Sequence, residues 1–147
     1  MNKIYLYGAD KSANVESKKA VKDLIVSLFR QENTELEKIV FVFCSDEYLL
    51  EMNKQYLNHD TLTDIITFPL SEEQKPVYGE VYISVDRIKE NAKIFKASYQ
   101  NELLRVMIHG ALHLCGYTDK TKKSKLQMRQ RENFYLNQYN VSREANF

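Results

Sequence analysis

The chain has three histidines, His59, His109 and His113, and two of them stand four residues apart. On a helix, residues i and i+4 lie on one face a turn apart, so His109 and His113 can direct both imidazoles at a single ion. Gly116 follows, where positive φ brings no Cβ clash and the chain can reverse. Asp119, six residues after His113, can then bring its carboxylate to the same ion. Two imidazoles and a carboxylate, with the remaining positions left to water, form a catalytic rather than a structural zinc layout. The spacing is that of H-x-x-x-H-x-x-G-x-x-H metal signatures with Asp in the third ligand position. One divalent ion per chain is expected, zinc first, although the donor types also suit nickel, iron or cobalt. Buried histidines without a partner would each cost free energy, which weighs toward a metal. Where H-E-x-x-H proteases carry their general-base Glu, this chain has Gly110, so a protease using that base is disfavoured.

The elements that must position these residues alternate irregularly. Lys3–Tyr7 reads as a short strand. Residues 14–30 place Val21, Leu24, Ile25, Leu28 and Phe29 on one helical face. Lys38–Cys44 is β-branched and aromatic, a buried strand. Ser45 caps a helix running to about Tyr56, with Asp46 and Glu47 in its first turn. Asp64–Phe68 and Glu80–Val85 read as strands, and the polar stretch between Pro69 and Pro76 as their connection. A helix from Asp86 to about Ala97 turns Ile88, Ala92 and Phe95 to one face. Ser98 caps the next helix, 99–115, which is apolar on most sides and so the central buried one. It carries both histidines, and Gly116 stops it. A mostly polar helix over 122–139 docks through Met128, Tyr135 and Tyr139. The expected fold is α+β: one domain over residues 1–147, a small mixed sheet of about four strands covered by about five helices. The metal site falls on the central apolar helix and the turn after it.

Composition narrows the function classes. With 147 residues, 44% hydrophobic and 28% charged, the chain fits one globular domain rather than a disordered one. Twenty-one basic and 20 acidic residues give a net charge of +1, which excludes a uniformly basic coat. The sum conceals a local excess. Lys120, Lys122, Lys123, Lys125, Arg129 and Arg131 fall within 12 residues that contain no acid, leaving −5 on the rest. A polyanion reaching the ion would pass beside this run, which suits an RNA backbone. Cys44 and Cys115 are too few for a disulfide scaffold, so no disulfide partner and a reduced, cytoplasmic chain are expected. The N-terminus lacks a signal-like apolar stretch, and no apolar run approaches a membrane span.

These residues resemble a known family, the YbeY-type endoribonucleases, bacterial rRNA maturation factors marked by H-G-x-L-H-L-x-G-Y-D-H. The chain matches from His109 through Tyr117, HGALHLCGY. Upstream, MNKQYLNHDTLTDIITFP over Met52–Pro69 matches the family at Asn53, Tyr56, Asp60, Thr63, Asp64, Phe68 and Pro69. Gly79–Ser84 echoes a third block, G-D-I-x-I-S. The resemblance spans roughly residues 50–136. It implies a metal-dependent, single-strand-specific endoribonuclease of 16S rRNA 3′-end maturation and ribosome quality control, with single-stranded RNA and the small ribosomal subunit as partners. It also implies a mixed sheet with packed helices and a zinc-like ion at the base of a cleft.

Two departures from the family pattern bear on the chemistry, and the first also puts Thr118 where the motif has Asp. The last motif histidine is Asp119 here, whose negative charge makes a bound water a weaker acid. The arginine after the upstream tyrosine, a candidate for phosphate stabilisation, is Leu57. His59, two residues on, is a candidate catalytic residue that can contribute a cation or a proton in its place, beside the metal-bound water. Thr63 and Asp64 are candidate cleft-lining residues, and Asp64 could equally support a ligand histidine from behind. Hydrolysis of an RNA phosphodiester by a metal-activated water is the leading expectation. The alternatives are a metallohydrolase of peptides or small molecules, a ribosome-binding factor with a structural ion, and an iron oxygenase, which shares only the ligand types.

Overall fold

The structure, a computed structural model, describes residues 3–57 and 63–145. The elements run β1 (Ile4–Gly8), α1 (Lys18–Gln31), β2 (Leu36–Cys44), α2 (Asp46–Leu57), β3 (Ile65–Pro69), β4 (Val77–Ser84), α3 (Val85–Phe95), α4 (Tyr99–Leu114) and α5 (Lys122–Ala145). The four strands form one mixed sheet in the order β1-β2-β4-β3. β1 and β4 both run parallel to β2, and β3 returns antiparallel beside β4. Among the described residues the fold is the expected α+β arrangement of four strands and five helices.

Strand alternation sends side chains to two apolar layers. Ile4, Ile39, Phe41, Phe43, Val81 and Ile83 face the main core, built with α1, α3, α4 and α5. Cys44 and Ile66 face the other way, where Leu49 of α2 closes a smaller cluster. A register shift between Leu36 and Lys38 lets Leu36 and Ile39, three residues apart, both enter the main core.

α4 is the central helix, with Leu103, Met107, Ile108, Ala111 and Leu112 all at most 1% exposed. Its N-terminus is capped as expected, the Asn101 N–H donating to the Ser98 hydroxyl at 3.1 Å. It lies close against the sheet at Gly110, where an added Cβ would fall 2.8 Å from Val81 Cγ1. Position 110 therefore faces the core, so a side chain there would point into the sheet rather than toward the cleft. At the C-terminus Gly116 takes φ +106°, and the Tyr117 N–H returns to the Leu112 carbonyl at 3.0 Å.

Several boundaries differ from the sequence expectation. α1 begins at Lys18 rather than residue 14, because Asn14 holds a left-handed φ of 54°. That segment is fastened instead to α4, through Tyr99 Oη donating to the Ala13 carbonyl at 2.6 Å and Gln100 to the Asn14 carbonyl at 2.7 Å. α5 runs six residues past the expected 139, to Ala145. Phe95, placed on one face with Ile88 and Ala92, is 61% exposed at the end of α3. Both thiols are free, and burial pushes each up to about 12, which leaves them protonated and unreactive near neutrality. No helix among the described residues is long and apolar enough to cross a membrane.

The end of α1 is tied to α5 through Glu32. Its carboxylate accepts from Arg131 at 2.6 Å, from Tyr117 at 2.8 Å and from the Tyr135 hydroxyl. Burial alone would push the Glu32 carboxyl up, but the hydrogen bonds from Tyr135, Arg131 and Tyr117 outweigh it and hold the pKa below the ordinary value. A depressed folded-state pKa contributes stability that is present above the unfolded pKa and lost as pH falls through the folded one. Glu32→Gln is therefore expected to lower stability by about 2 kcal/mol at neutral pH. The deficit should shrink as acidification protonates the parent carboxyl. Melting temperatures of the two proteins from pH 7 to pH 3 measure this, and a constant gap would contradict it.

Candidate metal centre and its cleft

α4 and the turn at Gly116 bring the three expected ligands together. Asp119 Oδ2 lies 3.4 Å from His109 Nε2 and 3.6 Å from His113 Nε2. One ligand atom from each of the three residues falls within 4.8 Å of the others. Two ligands each about 2.0–2.1 Å from a tetrahedral ion stand about 3.4 Å apart, so both carboxylate–imidazole separations fit the edges of such a site.

The far side of each imidazole is also fixed. His109 Nδ1 lies 2.7 Å from Glu132 Oε2, and His113 Nδ1 lies 2.9 Å from the Tyr117 carbonyl. A carbonyl only accepts, so His113 Nδ1 carries the proton and Nε2 presents its lone pair to the site. The carboxylate of Glu132 imposes the same tautomer on neutral His109. This is the arrangement by which metal-binding histidines are oriented from behind, and it makes the donor set fit a divalent ion. The rings meet edge to face, with centroids 4.6 Å apart.

Glu132 is the residue that sequence reasoning missed. It is 5% exposed and sits on the buried stripe of α5 with Met128, Tyr135 and Tyr139. An acid on that stripe is itself a signal, since buried carboxylates are rare unless paired. Its second oxygen accepts from Arg105 at 3.0 Å and lies 3.8 Å from Arg129. Burial pushes the Glu132 carboxyl up, but the His109 hydrogen bond and charge, with Arg105 and Arg129, win and keep it ionised. Burial likewise disfavours charge on His109, yet the Glu132 hydrogen bond and the Glu132, Asp119 and Asp64 carboxylates raise its pKa. The site is thus built to hold positive charge.

The triad lies in a cleft of about 810 Å³, lined also by Thr63, Asp64, Asn91, Phe95, Glu102, Arg105, Lys125, Arg129 and Glu132. Thr63 and Asp64 fall where the sequence placed them. The Asp64 carboxyl is raised by burial, a shift that the nearby His109 charge partly offsets. Burial also raises the carboxyl of Glu102, a second acid in the cleft that sequence reasoning did not single out.

The basic run divides. Lys125 and Arg129 line the cleft and are exposed. Lys120, Lys122 and Lys123 are exposed where α5 begins but do not line the cleft. Arg131 turns away from it to Glu32 and Tyr135, and its guanidinium lies 4.5 Å from the centroid of Phe134. It packs there and does not line the cleft. His59 lies outside the described residues.

Several known proteins are similar to this chain. A family model described as Endoribonuclease YbeY matches residues 7–140. The protein named Endoribonuclease YbeY from Amoebophilus asiaticus is 43% identical over 133 residues, which cover 90% of each chain. The protein of the same name from Flavobacterium psychrophilum is 48% identical over 117 residues, covering 80% of this chain and 83% of that one. The solution structure of TM1509 from Thermotoga maritima is similar with a TM-score of 0.70 at 29% identity, covering 97% of this chain and 93% of that one.

Proposed function

The chain belongs to the Endoribonuclease YbeY family, and on that premise we propose that residues 1–147 form one cytoplasmic, zinc-dependent endoribonuclease domain. Its substrate is single-stranded RNA, and its task is maturation of the 16S rRNA 3′ end and quality control of the small ribosomal subunit. One observation carries the reading: two imidazole Nε2 atoms and a carboxylate oxygen converge with separations of 3.4 and 3.6 Å to the carboxylate, each imidazole held from behind.

His109, His113 and Asp119 would hold the ion, which when bound polarises a phosphoryl oxygen and makes water acidic enough to supply the nucleophile. The rest belongs to the chain's own side chains. Glu132 and the Tyr117 carbonyl keep both rings in the tautomer that presents Nε2. Lys125 and Arg129 hold the strand's phosphates against the cleft. Arg105 and Arg129, both at Glu132, place guanidinium charge in the cleft. They can supply the phosphate stabilisation for which the family's arginine, at the position of Leu57 here, is a candidate. The burial of position 110 against the sheet removes the protease-type base and favours the phosphodiester over a peptide.

Stripping the protein with a chelator is expected to abolish cleavage of a single-stranded RNA, and one equivalent of zinc to restore it. Equal cleavage before and after stripping, in metal-free buffers, would overturn the proposal.

A further inference from the structure

α3 contributes two side chains to the cleft, Asn91 and Phe95. They stand four residues apart, so they share a face one turn apart. The helical spacing puts Phe95 on one face with Ile88 and Ala92, yet it is 61% exposed while those two are buried. The reason is local. α3 ends at Phe95, because Lys96 turns left-handed with φ 55° and its N–H caps the helix at the Ala92 and Lys93 carbonyls. The ring is thus carried past the packed part of the helix into the cleft that holds the metal triad.

The cleft it lines carries both signs of charge, Asp64, Glu102, Asp119 and Glu132 beside Arg105, Lys125 and Arg129. Lys89, Lys93 and Lys96 are all exposed around the end of α3. Lys125 and Arg129 of α5 line the same cleft. Cations on both helices match a polyanion. An exposed phenylalanine on open surface needs no explanation, but an exposed aromatic ring lining one cleft with Arg105, Lys125 and Arg129 has the composition of a single-strand binding platform. There the cations track phosphates, and the ring offers its face to a base.

We propose that Phe95 stacks on an unpaired base of the RNA strand bound in the cleft, with the Asn91 amide one turn back positioned for that base's edge. This rests on the ribonuclease reading and adds a base-holding subsite to it. A base locked inside a duplex has both faces covered by its neighbours, so the subsite selects single strands.

Phe95→Trp tests this directly, because the chain has no other tryptophan. Its emission is expected to be quenched saturably by a single-stranded RNA decamer and to be unchanged by the same decamer in a duplex. Phe95→Ala is expected to raise KM for the single strand about tenfold, with kcat within about twofold, and Phe95→Tyr to restore it. Replacing one nucleotide at a time by an abasic residue should reveal one position at which Phe95→Ala costs nothing further. If the parent cleaves the decamer while Phe95→Trp emission stays flat and the Phe95→Ala KM is unchanged, the subsite is wrong and the nuclease reading stands. If the parent binds the decamer without cleaving it, the nuclease reading fails. The titration then still decides: quenching keeps the platform, and flat emission at saturating decamer removes it.

Discussion

His113→Ala is expected to slow cleavage of single-stranded RNA by at least about 100-fold, with the helical circular dichroism of the parent retained. The magnitude follows from a comparison. Removing a group that merely supports a metal ligand costs about 10–100-fold in affinity or activity, and removing the ligand itself must cost more. The fold should survive because the His113 side chain is 27% exposed. It sits at the rim of α4, whereas Met107, Ile108, Ala111 and Leu112 carry the helix's packing. The Tyr117 carbonyl that accepts from His113 Nδ1 loses one partner, but the turn keeps its backbone bond from the Tyr117 N–H to Leu112. Cleavage equal to the parent's in metal-clean preparations would remove His113 from the site.

Glu132→Gln should produce a different signature. The substitution keeps the size of the side chain and one acceptor oxygen for His109 but deletes the charge. Metal affinity is expected to fall about 10–100-fold. Cleavage should fall in step at limiting metal and recover at saturating metal. That recovery separates a positioning role from general damage, which added metal would not repair. Some loss of stability is also expected, because Arg105 and Arg129 lose the anion they share. An unchanged metal dissociation constant would show that His109 needs no support from Glu132.

Glu132 also shows where the sequence stops being legible. His109 and His113 could be read from i,i+4 spacing alone, and Asp119 from the reversal that Gly116 permits, because all three belong to one local segment. Glu132 lies 23 residues from His109 and reaches it only through the packing of α5 on α4. Spacing cannot report such a contact, although an acid on the Met128–Tyr135–Tyr139 stripe marked the position as unusual. Arg131 fails for the related reason that charge runs carry no direction. Its neighbours in sequence face solvent or the cleft, while it turns to Glu32. Phe95 satisfies the helical period with Ile88 and Ala92, but the period says nothing about a helix that ends before its last apolar residue finds cover. Strand β2 was legible from its run of β-branched and aromatic residues, and the central helix from being apolar on most sides, and both are largely buried. The start of α1 was not, because Asn14 adopts a left-handed conformation while Tyr99 and Gln100 anchor its neighbourhood from 86 residues away.

One divalent ion is expected between His109, His113 and Asp119 in the protein that cleaves RNA. Anomalous diffraction at the zinc edge, from crystals of a preparation shown to be active, tests it most directly. The predicted result is one peak per chain, about 2.0–2.1 Å from both Nε2 atoms and from an Asp119 oxygen. An active preparation whose crystals show no peak at the triad, or show the ion bound without Asp119, would contradict it.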